Sequence, residues 1–294
     1  MKSIAKLVLQ RLHGLIDSIF SVLVIPAAYL LLLYRRIGSG LMPKTTDRLK
    51  IIGLFPIRNH YYEPLFDSRL ILHPLNSDRL LPGIDLNEDG QLRLLSSLSY
   101  SNELLALDLT QRSTNLGSFC INNGSFESGD AEFLYQLIRS LKPSKIIEIG
   151  SGHSTKIARL ALQKNILETK KNYSHTCIEP YEQAWLKDLP DITLRRELIE
   201  NCSVDWTQEL NAGDLLFVDS SHIIRPQGDV LKEYLEIFPL LKSGVYVHVH
   251  DIFTPKDYLK SWIVNDVKFW NEQYLLEALL ANTNRYEVVA GLNF

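Results

Sequence analysis

The residues able to do chemistry gather at the ends of four apolar runs. Glu148 and the loop Gly150-Ser151-Gly152 close KIIEIGSG, and Glu179 closes HTCIE. Asp219 and His222 stand in DLLFVDSSH, and Asp251 ends GVYVHVHD behind His248 and His250. An imidazole removes protons well near neutral pH, because its ordinary pKa lies close to it. Paired carboxylates can hold a hard divalent cation that acidifies a bound hydroxyl. The glycines let backbone approach a ligand closely. The loop is not a full GxGxxG, since Thr155 occupies the third glycine position, and it lacks the GK[ST] of a triphosphate cradle. Glu179 lies 27 residues beyond Gly152, where a carboxylate can accept both hydroxyls of a ribose. Loop and acid together fit a nicotinamide cofactor or S-adenosylmethionine.

These groups can meet only if something lines up the ends of the runs. The pattern predicts it. From about residue 130, short apolar strands alternate with helical periodicity. The helix DAEFLYQLIRSLKP places Phe133, Leu134, Leu137, Ile138 and Leu141 on one face. The strand KIIEIG leads to the helix HSTKIARLALQ, opened by Ser154 or Thr155. Further strands are expected at HTCIEP, ITLRREL, DLLFVDSSH and GVYVHVHD. Helices are expected at DVLKEYLEIFPLLKSG and WNEQYLLEALLAN, and a last strand at YEVVAGLNF. The fold class is therefore α/β: a Rossmann-like, mostly parallel sheet with helices on both faces, and an N-terminal helical extension. In such sheets ligands bind at the carboxyl ends of the strands.

Bland roles compete at each position. Asp219 and Asp251 could simply cap loops, and His222 could cap the following helix. His248 could be a hydrogen-bonded core residue. Alternation in YVHVHD puts His250 and Asp251 on opposite faces unless the strand has already ended. Trp262, Trp270 and Tyr274 are spaced like the core-facing side of a helix.

The stretches EIGSGHST, IEP, DLLFVDSSH and HDIFTPKDYLKSWI…FWNEQYLLEALL resemble the class I S-adenosylmethionine-dependent methyltransferases. They are most similar to a subgroup with DSSH and HDIF signatures, related to the catechol-type and macrocin-type O-methyltransferases. The resemblance covers roughly residues 120 to 290. It implies that Glu148, Gly150, Ser151 and Gly152 border the methionine and ribose of the cofactor, and that Glu179 holds the ribose hydroxyls. Asp219 would lie beside the methionine end and the transferable methyl. The resemblance also implies Mg²⁺ between Asp219 and Asp251. His222 stands where the catechol-type relatives carry a lysine as general base. Ile252 stands where they carry a third metal ligand. The activity implied is transfer of a methyl group to a hydroxyl of a small molecule or glycan precursor. A nicotinamide-dependent oxidoreductase is the rival enzyme, but it needs a Tyr-x-x-x-Lys pair or similar machinery at a strand end. A non-catalytic, membrane-tethered adaptor of the same fold is the other alternative.

The rest of the chain bounds these readings. With 294 residues, 46% hydrophobic and 22% charged, it is an ordinary globular composition. A net charge of -3 gives no reason to expect nucleic acid as a partner. Cys120, Cys177 and Cys202 are too few and too scattered for a disulfide framework, which suits a reducing compartment. Residues 14–34 are almost continuously apolar, long enough to cross a membrane, and interrupted by Pro26. Arg35, Arg36, Lys44, Arg48 and Lys50 follow them, more densely than Lys2, Lys6 and Arg11 precede them. That bias places the larger part in the cytoplasm. The expected organisation is an anchor over 1–36, an extension over 37–118 and a methyltransferase domain over 119–294. Within the extension, FPIRNHYYEPLFD reads as a packed surface lobe. Nothing in the sequence fixes the oligomeric state.

Overall fold

A computed structural model of the chain describes residues 2–60, 62–110 and 116–294. They fall into two compact units, Met1–Leu72 and His73–Phe294.

In the first unit, helix α1 (Lys2–Ile37) runs unbroken through Pro26. Apolar side chains such as Phe20 and Leu30 point outward. The hydroxyls of Ser18 and Ser21 donate back to the carbonyls of Gly14 and Ser18, 2.8 Å each. The helix thus satisfies these two hydroxyls itself. The span His13–Ile37 is long and apolar enough to cross a membrane, with an 18-residue window of mean hydropathy 2.2 in which no residue is buried. A small lobe grips the end of α1. Helix α2 (Pro43–Ile52) starts on a proline, whose missing N–H costs nothing at a helix start, and ends at Gly53 in the left-handed region. Tyr34 is buried, and its hydroxyl pairs with Thr46 Oγ1 at 2.7 Å. Arg35 binds Glu63 and lies 4.7 Å over the Phe55 ring. FPIRNHYYEPLFD therefore belongs to this lobe; its Tyr61 lies outside the described residues.

The second unit holds the sheet. Strands β1 (Lys145–Ile149), β2 (Ser174–Ile178), β3 (Thr193–Arg195), β4 (Leu215–Val218) and β5 (Tyr246–Val249) are all parallel, in the order β3-β2-β1-β4-β5. This is a Rossmann-like α/β fold, and its strand order reverses at β1 and β4. Ile149 pairs with both Ile178 and Val218, and Val218 pairs with Val249. The residues just beyond these four, Gly150, Glu179, Asp219 and His250, therefore emerge in a row on one edge.

Alternation along β1 supplies two cores. Ile146 joins Leu134, Tyr135, Ile138, Leu162 and Phe217 on one face. Ile147 and Ile149 join Val218, Val230, Tyr234 and Ile237 on the other. Helices α3 (Glu88–Ser97) and α4 (Ser101–Ala106) belong to this unit, and Tyr100 and Leu104 pack on the first core. Helix α5 (Asp130–Leu141) buries Phe133, Leu134, Leu137 and Ile138 but leaves Leu141 half exposed. Helix α6 (His153–Thr169) follows Gly152 without a side-chain cap. The expected caps act elsewhere: Thr155 turns its hydroxyl onto Glu148.

Three local expectations need correcting. After the short α7 (Trp206–Glu209), the run from Asp229 is regular only as α8 (Asp229–Lys232). It widens over Glu233–Ile237 and tightens at Phe238–Leu240, where Pro239 has no N–H to continue it. YEVVAGLNF forms no strand. Its backbone is engaged by side chains instead: Asn87 donates to the Val288 carbonyl, Gly291 N to Gln91 Oε1, and Lys256 to the Asn293 carbonyl. Lastly, Trp262, Trp270 and Tyr274 do not share a helix. Only Tyr274 lies in α9 (Glu272–Ala281).

Candidate active site

The sheet edge opens into a cleft of about 200 Å³, lined among others by Phe126, Gly150, Gly152, Glu179, Gln183 and Asp219. Gly150 has φ +79, and a Cβ there would sit 1.8 Å from the Asp219 carbonyl oxygen. Only glycine lets the β1 and β4 ends close so tightly. Gly150 N donates to the Ile178 carbonyl and Asp219 N to that of Ile149. Ser151 N donates to Glu179 Oε2 at 3.0 Å, and Tyr181 N to Oε1 at 2.7 Å. The acid is thus held against the glycine loop. Around Gly152 an added Cβ would meet nothing within 4 Å, which leaves room for a ligand at the start of α6. Glu148 departs from its expected place. It is fully buried beneath the loop, accepts from Thr155, and stands 3.3 Å from His175 Nε2 and 3.5 Å from Cys177 Sγ. It supports the loop from below and does not line the cleft.

Asp219 also borders a second group. His222 Nε2 lies 3.2 Å from Asp219 Oδ1 and 3.6 Å from Asp251 Oδ2, and these three can offer ligand atoms within 4.8 Å of one another. His250 Nδ1 stands 3.5 Å from both Asp219 and Asp251, and its Nε2 stands 3.5 Å from Asp130. The sequence alternation was expected to separate His250 from Asp251. It does not, because β5 ends at Val249 and Asp251 turns left-handed at φ +56. His248 remains on the strand, half-buried, its ring 4.7 Å from Phe217.

Burial pushes His222 down, but Asp219 and Glu272 outweigh it and hold the ring at about 9. Burial likewise opposes His250, yet Asp130 and Asp219 raise it to about 10. Asp219, though buried, is held well below the usual carboxylate range by the two imidazoles. Burial pushes Asp251 up. Two carboxylates and an imidazole in so small a space form a donor set that suits a divalent cation taking oxygen and nitrogen ligands.

Sequence reasoning missed the group that aims His222. Glu272 is fully buried; its Oε2 pairs with His222 Nδ1 at 2.8 Å, and its Oε1 takes a hydrogen bond from the Tyr234 hydroxyl at 3.1 Å. The pairing orients the ring and leaves Nε2 facing Asp219 and Asp251. The backbone takes part too. His222 has φ +60, and its carbonyl accepts from Asn271 N and Glu272 N at the start of α9. The cap weighed for His222 on the following helix is not formed, since Gly228 stands at the start of α8; its main chain instead meets the start of α9, and the ring is left to the site. Trp270 closes the outer side, its ring 4.3 Å from the imidazole.

Residues 147–252 match a family model described as a methyltransferase domain. A protein from Archaeoglobus fulgidus, described only as uncharacterized, is 29% identical over 150 residues. The match covers 49% of this chain and 66% of that protein, just under two thirds of its length. The matched family region holds the glycine loop, Glu179, Asp219, His222 and Asp251.

Proposed function

Taking a methyltransferase domain as the starting point, we propose that this chain methylates a hydroxyl of a small molecule or glycan precursor, with His222 as general base. S-adenosylmethionine would supply an electrophilic methyl group and leave as S-adenosylhomocysteine. The glycine loop and Glu179 would hold its methionine and ribose ends, next to Asp219. The acceptor hydroxyl gives up its proton as its oxygen takes the methyl, so a base must stand where cleft and acceptor meet. The observation that carries this reading is the double membership of Asp219. It lines the cleft and also stands 3.2 Å from His222 Nε2.

Asp219 and Asp251 would hold a divalent cation such as Mg²⁺, whose contribution would be to acidify the acceptor hydroxyl. It would also relieve His222. An imidazole between two free carboxylates and Glu272 keeps its proton at neutral pH, and an imidazolium is no base. With the carboxylate charge engaged by a cation, Nε2 is free to accept. The competing arrangement, with His222 Nε2 as third ligand, is favoured by the compactness of the three donor groups. One nitrogen cannot serve both roles at once.

Single-turnover kinetics tests the base. His222→Ala should lower turnover by about 10²–10⁴-fold, leave S-adenosylhomocysteine affinity nearly intact, and show a residual rate that climbs with pH. Wild-type turnover in this variant would remove His222 from the chemistry. Loss of metal affinity along with turnover would make it a ligand.

Helix α1 would anchor the enzyme. The 25 residues of His13–Ile37 rise about 37 Å at ~1.5 Å each, more than a hydrocarbon core of ~30 Å. The basic residues after it would keep the catalytic unit in the cytoplasm.

A further inference from the structure

Beyond His222, the connection from β5 to α9 builds a wall that methyl transfer as described above leaves unused. Trp262 and Trp270 meet edge to face with centroids 4.9 Å apart, and Phe253 abuts Trp262 at 5.3 Å. The Lys268 ammonium lies over both indoles, 4.5 Å from the Trp262 centroid and 4.2 Å from that of Trp270. Trp270 in turn touches the His222 ring. The chain is bent to achieve this. Lys268 N donates to the Trp262 carbonyl at 2.9 Å, and Val267 is forced to φ +55. A β-branched residue is a true outlier there, and such strain persists where the surroundings over-determine it. His222 and Asp251 share the same left-handed conformation. Lys268 is half-buried, yet among the described residues no carboxylate pairs with it.

We propose that Trp270 and Lys268 form the acceptor subsite, selecting a ring-shaped acceptor that carries a carboxylate or phosphate near the hydroxyl to be methylated. The inference rests on the methyltransferase reading. A sugar or aromatic ring packed against this aromatic wall lies directly beside the base. Apolar contact holds the ring, and the indoles fix the lysine side chain in one direction, so little of its freedom remains to be lost on binding. The charge argument points the same way. The carboxylates of Asp219, Asp251 and Glu272 already face His222 and His250 inside the site, so an anion on the acceptor finds its cation at the outer edge, in Lys268. Lys268 is a basic side chain seated on this wall, and the Trp faces do not neutralise it as a carboxylate would.

Two matched probe pairs decide the matter on the full-length chain with S-adenosylhomocysteine and Mg²⁺ present: 3,4-dihydroxybenzoate against catechol, and glucuronate against glucose. Calorimetry should show the anionic member of at least one pair binding about tenfold tighter, equivalent to ~1.4 kcal/mol. Lys268→Met should erase the difference and Lys268→Arg should keep it. Glucose 6-phosphate, run beside glucuronate, shows whether phosphate or carboxylate is preferred, and either preference supports the subsite. Equal affinities within both pairs, no measurable binding of any anionic probe, or a preference surviving in Lys268→Met would overturn it. A merely structural lysine would alter the melting temperature of Lys268→Met without touching the ratio. S-adenosylhomocysteine binding is measured separately. Its absence in the wild type counts against the methyltransferase reading, whereas the probe ratios judge Lys268.

Discussion

Gly150 and Gly152 stand two residues apart and answer to opposite constraints. Gly150→Ala places a Cβ 1.8 Å from the Asp219 carbonyl at a φ of +79, so the β1 and β4 ends must separate. The expected cost is on the order of 3 kcal/mol, read from urea unfolding. Gly152→Ala has extended backbone and open space around the new methyl. It should unfold like the wild type but bind S-adenosylhomocysteine on the order of tenfold more weakly, because the methyl enters the cleft. Reversed behaviour would mean that the ligand approaches another part of the loop. At this scale the sequence was readable where a residue type sits at the end of an apolar run. Gly150, Glu179, Asp219, His222 and Asp251 all met on one edge for that reason. Glu148 misled, because the same run that announces the loop also points its acid into the fold. Glu272 was invisible, because it reaches His222 across 50 residues and reads locally as an ordinary acid in a first helical turn.

The elements behind the site carry an unusual load of buried acid. Glu233, in the widened turn after α8, is fully buried. It takes one hydrogen bond, from the Ser220 hydroxyl at 3.1 Å, and its Oε1 has no partner among the described residues. Burial, then Glu272 and Asp229, push its pKa well above the ordinary 4.5. The folded protein therefore keeps a proton that the unfolded chain has already released. This contribution to stability is complete below pH 4.5 and is lost as pH rises toward the folded value, at up to about 1.4 kcal/mol per pH unit. Glu233→Gln should escape that loss. Its advantage in melting temperature over the wild type should widen between about pH 5 and pH 8. A constant gap would show an ordinary, ionised carboxylate. Strands and helices with strong periodicity were legible from sequence because each buries its own face. YEVVAGLNF has the alternation of a strand too, but its backbone partners are side chains supplied by Asn87, Gln91 and Lys256. No local pattern could reveal that competition.

For the whole molecule, the two compact units predict separable behaviour. A chain starting at His73 should keep its far-ultraviolet circular dichroism per residue and still bind S-adenosylhomocysteine. The full chain should stay with membranes through a high-salt wash, since α1 would be held by hydrocarbon rather than by charge. A truncated chain that aggregates, or a full chain released by salt, would contradict the anchor. The division at Leu72 was not legible. The extension reads as turns with short helices at QLRLLSSL and SNELLAL, and only packing distinguishes α3 and α4, which join the sheet, from α2, which joins the end of α1. That lobe has a further consequence for a spanning helix. Arg35 is fastened to Glu63 and Phe55, and Tyr34 to Thr46, so this end cannot slip into lipid without unfolding its clasp. Depth is set from one side only. A bilayer thicker or thinner than the apolar stretch must be accommodated by tilt, or at the opposite end near Lys2. The clasped end of the helix would thus keep a constant depth while the far end floats.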